Sequence, residues 1–114
     1  MKDVNGEIQY KGNSYKLVFN LNVMEAIQER FGSITEWGNV TDGKDEPDIK
    51  AVKFAFWAML NEGIDIDNED EGTNKPHLTE AQVGRMMTSV GLLDATRILN
   101  QTVIASTQSE EKNA

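Results

Sequence analysis

His77 is the only histidine of the chain, and a histidine near neutral pH can act as an acid, a base or a metal ligand. It follows Pro76 at the predicted start of a helix. A hydrolytic triad would have to recruit distant residues, and a zinc site would need carboxylates to complete an unusual ligand set. No serine lies in a Gly-x-Ser-x-Gly motif, and no glycine-rich loop follows a predicted strand. The sequence therefore predicts no catalytic residue, no cofactor and no metal site.

The acidic segment from residue 64 to residue 76 has a composition typical of calcium loops. Such loops need a glycine at the sixth position and a bidentate glutamate at the twelfth. If the loop begins at Asp65, an aspartate replaces the glycine and a proline replaces the glutamate. If it begins at Asp67, Gly72 is correctly placed, but a leucine stands where the glutamate is required. Neither register fits, so we predict a solvated acidic loop.

Composition restricts the classes of partner. The chain has 114 residues, of which 39% are hydrophobic, with 19 acidic residues against 11 lysines and arginines and a formal charge of −8. This charge repels phosphate backbones, so binding to nucleic acid is not expected. The absence of cysteine excludes disulfides and thiolate metal sites. With no apolar signal segment and no run long enough to cross a bilayer, we expect a cytoplasmic protein that does not contact a membrane.

The N-terminal third predicts a β-hairpin followed by a helix. Apolar and polar residues alternate over 6–20, and Gly12-Asn13 supplies the turn. A helix is predicted over Val23–Phe31, with Asn22 as its cap and Gly32 as its stop. Ser33 and Glu36 then repeat the capping pattern and begin a short turn that carries Ile34 and Trp37, before a polar loop over 41–46.

The most apolar segment predicts a central helix over 47–62 that ends at Gly63. Winding it at helical period places Ile49, Val52, Phe56, Met59 and Leu60 on one face, while Trp57 and Phe54 fall to another side. A helix that is apolar on nearly every side is usually buried in the middle of its domain. The alternative is that Phe54 and Trp57 form an exposed aromatic anchor for a partner, with Trp37 as a second candidate.

The remaining helices are punctuated by capping residues and glycines. Thr79 and Gln82 predict a capping box, Gly91 ends that helix, and a last helix begins at Leu92. Met86 and Met87 lie in the apolar stripe of the fourth helix. They are either core residues or an adaptable surface for a partner. The prediction is one α+β domain over 1–107, with a hairpin and four or five short helices, and a polar disordered tail over 108–114.

Three stretches of the sequence, at residues 24–33, 54–62 and 78–84, resemble the tail assembly chaperones of long-tailed phages and gene transfer agents. The hairpin leads into Met24-Glu-Ala-Ile-Gln-Glu-Arg-Phe-Gly-Ser33, which resembles the family's first helix and its ending. Phe54-Ala-Phe-Trp-Ala-Met-Leu-Asn-Glu62 matches the aromatic and alanine-rich second helix, and Leu78-Thr-Glu-Ala-Gln-Val-Gly84 matches the start of the next. The resemblance spans nearly the whole chain before the tail.

This resemblance implies a non-catalytic protein that binds the tape-measure protein during tail assembly and keeps its apolar helices soluble. Such chaperones leave when tail tube subunits polymerise, so the resemblance also implies the tail tube protein as a candidate second partner, and self-association as a further expectation. Many members also have a longer form made by ribosomal frameshifting, for which Glu111-Lys112-Asn113 permits a slippery codon run. The alternatives are a structural component of the phage tail and an acidic inhibitor of a host nucleic-acid enzyme.

Overall fold

A computed structural model describes residues 5–41 and 46–112, with side chains described for 6–41 and 46–106. Residues 42–45 of the predicted polar loop, residues 113–114 of the predicted tail and the side chains of the frameshift segment lie outside the described part. The elements in chain order are β1 (Asn5–Tyr10), β2 (Asn13–Val18), α1 (Leu21–Phe31), α2 (Ile34–Thr41), α3 (Ile49–Glu71), α4 (Glu80–Val90) and α5 (Leu92–Lys112). The predicted α+β fold, a hairpin followed by helices, is confirmed.

The hairpin pairs β1 with β2 in antiparallel register, with Ile8 opposite Tyr15. Its two-residue turn is formed by Lys11 and Gly12, which both have positive φ, at 49° and 80°. The turn was predicted one residue later, at Gly12-Asn13. Positive φ at both turn positions is the conformation whose twist matches that of the strands, and glycine adopts it without strain.

α1 begins and ends through local hydrogen bonds. Asn20, not the predicted Asn22, is its N-cap, because its side chain accepts a hydrogen bond from the Val23 amide. Gly32 closes the helix as predicted, with φ of 92° and its amide bonded to the carbonyl of Gln28. Ser33 then accepts from the Glu36 amide, but the segment that follows is an eight-residue helix, α2, and not a short turn.

α3 lies at the centre of the molecule and packs against β2 and the other four helices. Asp48 caps its start by accepting hydrogen bonds from the amides of Lys50 and Ala51. The predicted buried face is confirmed for four of its members, which are almost completely inaccessible: Val52, Phe56, Met59 and Leu60. Ile49, the fifth, is 60% exposed, although Ala51 and Val52 in the same turn are completely buried.

α3 does not end at Gly63, as the sequence predicted, but continues to Glu71. Gly63 remains helical and buried, and a Cβ atom at this position would lie 2.8 Å from the Lys16 carbonyl oxygen. The glycine therefore allows β2 to approach the helix closely, and the stop is at Gly72, in left-handed conformation. Residues 64–71 are consequently helical, and only 72–79, called the connector below, join α3 to α4.

α4 and α5 begin at the residues that the sequence predicted. Thr79 and Gln82 form a reciprocal capping box, and Gly91 separates the two helices. The helical backbone of α5 continues to Lys112, so residues 108–112 of the predicted tail are helical. Ser106 on α5 donates a hydrogen bond to the carbonyl of Phe19, which joins the end of the hairpin to the last helix. No helix in the described ranges is long and apolar enough to cross a membrane.

Candidate functional site

Trp37 and Phe54, two of the predicted partner-binding residues, are buried. The Trp37 indole lies against α3 and donates a hydrogen bond of 3.1 Å to the Ala51 carbonyl. Phe54 packs edge-on against Phe31 and lies under the guanidinium of Arg30, 4.3 Å from the ring centre. The prediction of an exposed aromatic anchor is wrong for both residues, because Trp37 packs on α3 and Phe54 is covered by residues of α1.

Trp57 is half-buried and has a structural partner. Its ring packs on Phe54, with centroids 5.6 Å apart, and its indole N–H donates to the Leu78 carbonyl at 2.9 Å. The same carbonyl accepts from the Asn61 side chain, whose Oδ1 in turn accepts from the Leu78 amide. Trp57 and Asn61 therefore hold the connector on α3, and part of the Trp57 ring remains accessible.

Met86 and Met87 belong to the core, which is the first of the two interpretations of the apolar stripe on α4. Met87 also reaches a depression on the surface. This depression, called the apolar groove below, has a volume of about 170 Å³ and lies where the first turns of α3 and α5 meet α4. It is lined by Ile49, Lys53, Gly84, Met87, Thr88 and Leu92.

The rim of the apolar groove carries large hydrophobic side chains that no described element covers. Ile49 is 60% exposed and Leu92 is 37% exposed. Leu93, beside it on α5, is 78% exposed, the largest value for a hydrophobic residue in the described part of the chain. Single exposed hydrophobic residues are ordinary, but a group around a concave surface is typical of a binding site for another protein. Of the five predicted partner-binding residues, only Met87 lines this groove.

Two features of the sequence could have indicated the groove. In the pair Leu92-Leu93 at the start of a helix, two adjacent residues point about 100° apart, so one of them is difficult to bury. Ile49 was assigned to the buried face by period alone, although the first turn of a helix often lies at the edge of a core. The lysine and glycine of the groove gave no signal, because their positions depend on how α3 and α4 pack together.

His77 lies beside a different, shallow groove of about 180 Å³, which Trp57, Glu62 and Asp65 also line. Its Nε2 is 2.7 Å from the Asp65 carboxylate, and both side chains are about half exposed. Glu62 accepts hydrogen bonds from Asn20 and Asn22. None of the residues lining this groove carries a hydroxyl or an amine, and the described residues contain no group of three side chains arranged to hold a metal ion.

Comparison with known proteins gives no relative from which a function could be transferred. No family model matches the chain, and neither a curated protein nor a solved structure is significantly similar to it.

Proposed function

We propose that this chain is a non-catalytic tail assembly chaperone that binds apolar helical segments of a phage tape-measure protein through the apolar groove. The exposure of Ile49 and Leu92, two large hydrophobic residues that line the groove, is the observation that carries the proposal. The resemblance of three stretches of the sequence to these chaperones supports the choice of client. The hairpin and the helices at 21–31 and 80–90 occur in the order that the resemblance implies.

The groove suits the side chains of a helix better than a large flat surface. Its volume of about 170 Å³ accommodates one or two aliphatic side chains from an amphipathic helix. Met87 at its base has a flexible thioether that can adjust to leucine, isoleucine or phenylalanine. A tape-measure protein contains many such side chains along its length, so one adaptable groove can serve many sites.

The acidic character of the rest of the surface supports the solubilising role. The exposed acids of α3 lie in its C-terminal half, at Asp65, Glu69, Asp70 and Glu71, whereas the groove lies at its N-terminal end. A client helix bound in the groove would therefore be accompanied by a strongly negative surface. Repulsion between such complexes opposes their aggregation.

The proposal is tested by co-expressing the chain with the tape-measure protein encoded beside it and measuring how much of the latter stays soluble. The double variant Ile49→Glu/Leu92→Glu should reduce the co-purified tape-measure protein about tenfold, because it removes two apolar contacts. Leu21→Glu is the matched control. Leu21 is also the first residue of its helix and is 68% exposed, but it does not line the groove.

Two results would contradict the proposal. If the wild-type chain leaves the solubility of the tape-measure protein unchanged, the chaperone function is wrong. If the double variant and Leu21→Glu behave alike, the groove is not the binding face. Mass spectrometry of mature particles addresses the alternative of a structural tail component, since a chaperone should be absent from them and a structural component present.

A further inference from the structure

The outer edge of β2 offers hydrogen-bonding groups that the fold does not use. With a two-residue turn and Tyr10 opposite Asn13, the residues that exchange backbone hydrogen bonds are Tyr10 with Asn13 and Ile8 with Tyr15. Ser14 and Lys16, opposite Gln9 and Glu7, belong to the alternate pairs that exchange no backbone hydrogen bonds, so their N–H and C=O groups point away from β1. The described residues include no backbone or side-chain partner for those groups of Ser14.

α3 closes this edge at Lys16 but not at Ser14. The close approach of Gly63 to the Lys16 carbonyl oxygen, where a Cβ atom would lie at 2.8 Å, shows that this carbonyl faces α3. The observation agrees with the direction deduced from the strand register. Two residues earlier, Ser14 borders a cleft of about 380 Å³. We call this the edge cleft; it is lined by Asn13, Ser14, Tyr15, Lys16, Leu60, Gly63, Ile64, Asp67, Lys75, Pro76 and Leu78.

The edge cleft is lined by both apolar and charged side chains. Ile64 and Leu78, which are both half-buried, provide apolar surface. Lys16 is neutralised by Asp67 at 2.8 Å, whereas the ammonium of Lys75 forms no ion pair with any described residue. The cleft therefore combines an unpaired backbone edge, an apolar surface and one uncompensated positive charge in a protein that is otherwise strongly acidic.

We propose that the edge cleft binds a short extended peptide segment of a partner protein, which adds a strand beside Ser14. The segment carries an apolar side chain that contacts Ile64 and Leu78, and a carboxylate that pairs with Lys75. Strand addition supplies affinity through the main chain, and the two side-chain contacts supply specificity. This second surface lies at the opposite half of α3 from the apolar groove and does not depend on the proposed client.

The test is a titration of the ¹⁵N-labelled protein with the peptide Ac-Thr-Val-Thr-Val-Glu-NH₂, followed by the amide shifts of Ser14 and Lys16. We expect saturable shifts at both amides. Ser14→Pro should weaken binding about tenfold, because it removes the free donor without removing a hydrogen bond between β1 and β2. Gln9→Pro is the matched control. Gln9 lies opposite Ser14, and its N–H also points out of the hairpin. The side chains of the two residues are hydrogen-bonded to each other.

The charge contact has its own measurement. Lys75→Glu should reverse the preference of the protein, so that Ac-Thr-Val-Thr-Val-Lys-NH₂ binds more tightly than the glutamate peptide. Circular dichroism of each variant verifies the fold, and Lys75→Glu keeps the test decisive if Ser14→Pro does not fold. Absence of amide shifts at millimolar peptide would overturn the proposal. Equal peptide affinity of Ser14→Pro and Gln9→Pro would also overturn it, as would an unchanged charge preference in Lys75→Glu. These outcomes are independent of the co-expression test of the apolar groove.

Discussion

The two halves of α3 are held in the molecule by different interactions. From Ile49 to Leu60 the helix is surrounded by other elements, and most of its side chains are buried. From Asn61 to Glu71 it is largely accessible and acidic, and two asparagines bind the backbone of the connector. The first half is stabilised by apolar burial, and the second by directed hydrogen bonds and a glycine cap.

The difference explains why a helix can carry so many acids at its C-terminal end. Carboxylates near this end interact unfavourably with the helix dipole. Burial of the first half fixes the helix, however, and the second half then needs only to continue a helix that already exists. Asn68 accepts from Thr73 and from the Lys75 amide, so the connector folds back on the acidic half and ends it in a defined way.

The largest expected effect is in the buried half. Phe56→Ala should lower the free energy of unfolding by about 3–5 kcal/mol, because it removes a fully buried ring and leaves a cavity. Urea denaturation followed by circular dichroism measures the change. Ile104→Ala, at a half-exposed position on α5, is the control and should change it by about 0.5 kcal/mol or less. Similar effects of the two substitutions would mean that α3 is not the centre of the core.

A smaller loss is expected where the acidic half begins. Asn61→Ala should cost about 2 kcal/mol, because it leaves the Leu78 amide without its partner in a partly buried place. Asn68→Ala removes hydrogen bonds to the exposed Lys75 backbone, which water can replace, and should cost about 0.5–1 kcal/mol. The same denaturation measurement compares the two. A larger effect of Asn68→Ala would show that the connector is anchored at its first half.

The smallest effects are expected at two helical glycines, and their signs should differ. Gly63→Ala should destabilise the fold by about 1 kcal/mol, because the close backbone of Lys16 outweighs the gain in helix propensity. Gly84→Ala should stabilise it by about 0.5–1 kcal/mol, since its new methyl group would meet only the flexible Lys53 side chain at 3.5 Å. Thermal melting of both variants provides the comparison. Stabilisation by Gly63→Ala would mean that β2 and α3 can separate without cost.

Sequence reasoning succeeded where the determinant was local. The capping box of Thr79 and Gln82, the stop at Gly32 and the boundary at Gly91 each depend on residues within one helical turn. The buried stripe of α3 also followed from its period. These features were sufficient for the α+β fold and for the order of its elements.

Prediction from the sequence failed where a distant part of the chain determines the local structure. In the sequence, Gly63 looks like a helix stop because it is a glycine at the end of an apolar segment. The helix continues through it, and only the close approach of β2 explains why a glycine is needed there. The sequence left open whether the tryptophans are buried or form surface anchors, because period does not show which element covers a side chain. Trp37 and Trp57 are covered by segments 14 and 21 residues away, whose carbonyls accept their indole N–H groups. The apolar groove was missed for the same reason, because parts of three different helices form it.

The hydrogen bond from Ser106 to Phe19 spans 87 residues of the chain. During synthesis the hairpin leaves the ribosome before α5, the helix that packs on β1. A two-stranded hairpin is marginal in water by itself, and its apolar face is fully covered only after α5 has been synthesised. The nascent chain therefore cannot acquire its final stability one segment at a time, and completion of folding is a late event in the life of each new molecule.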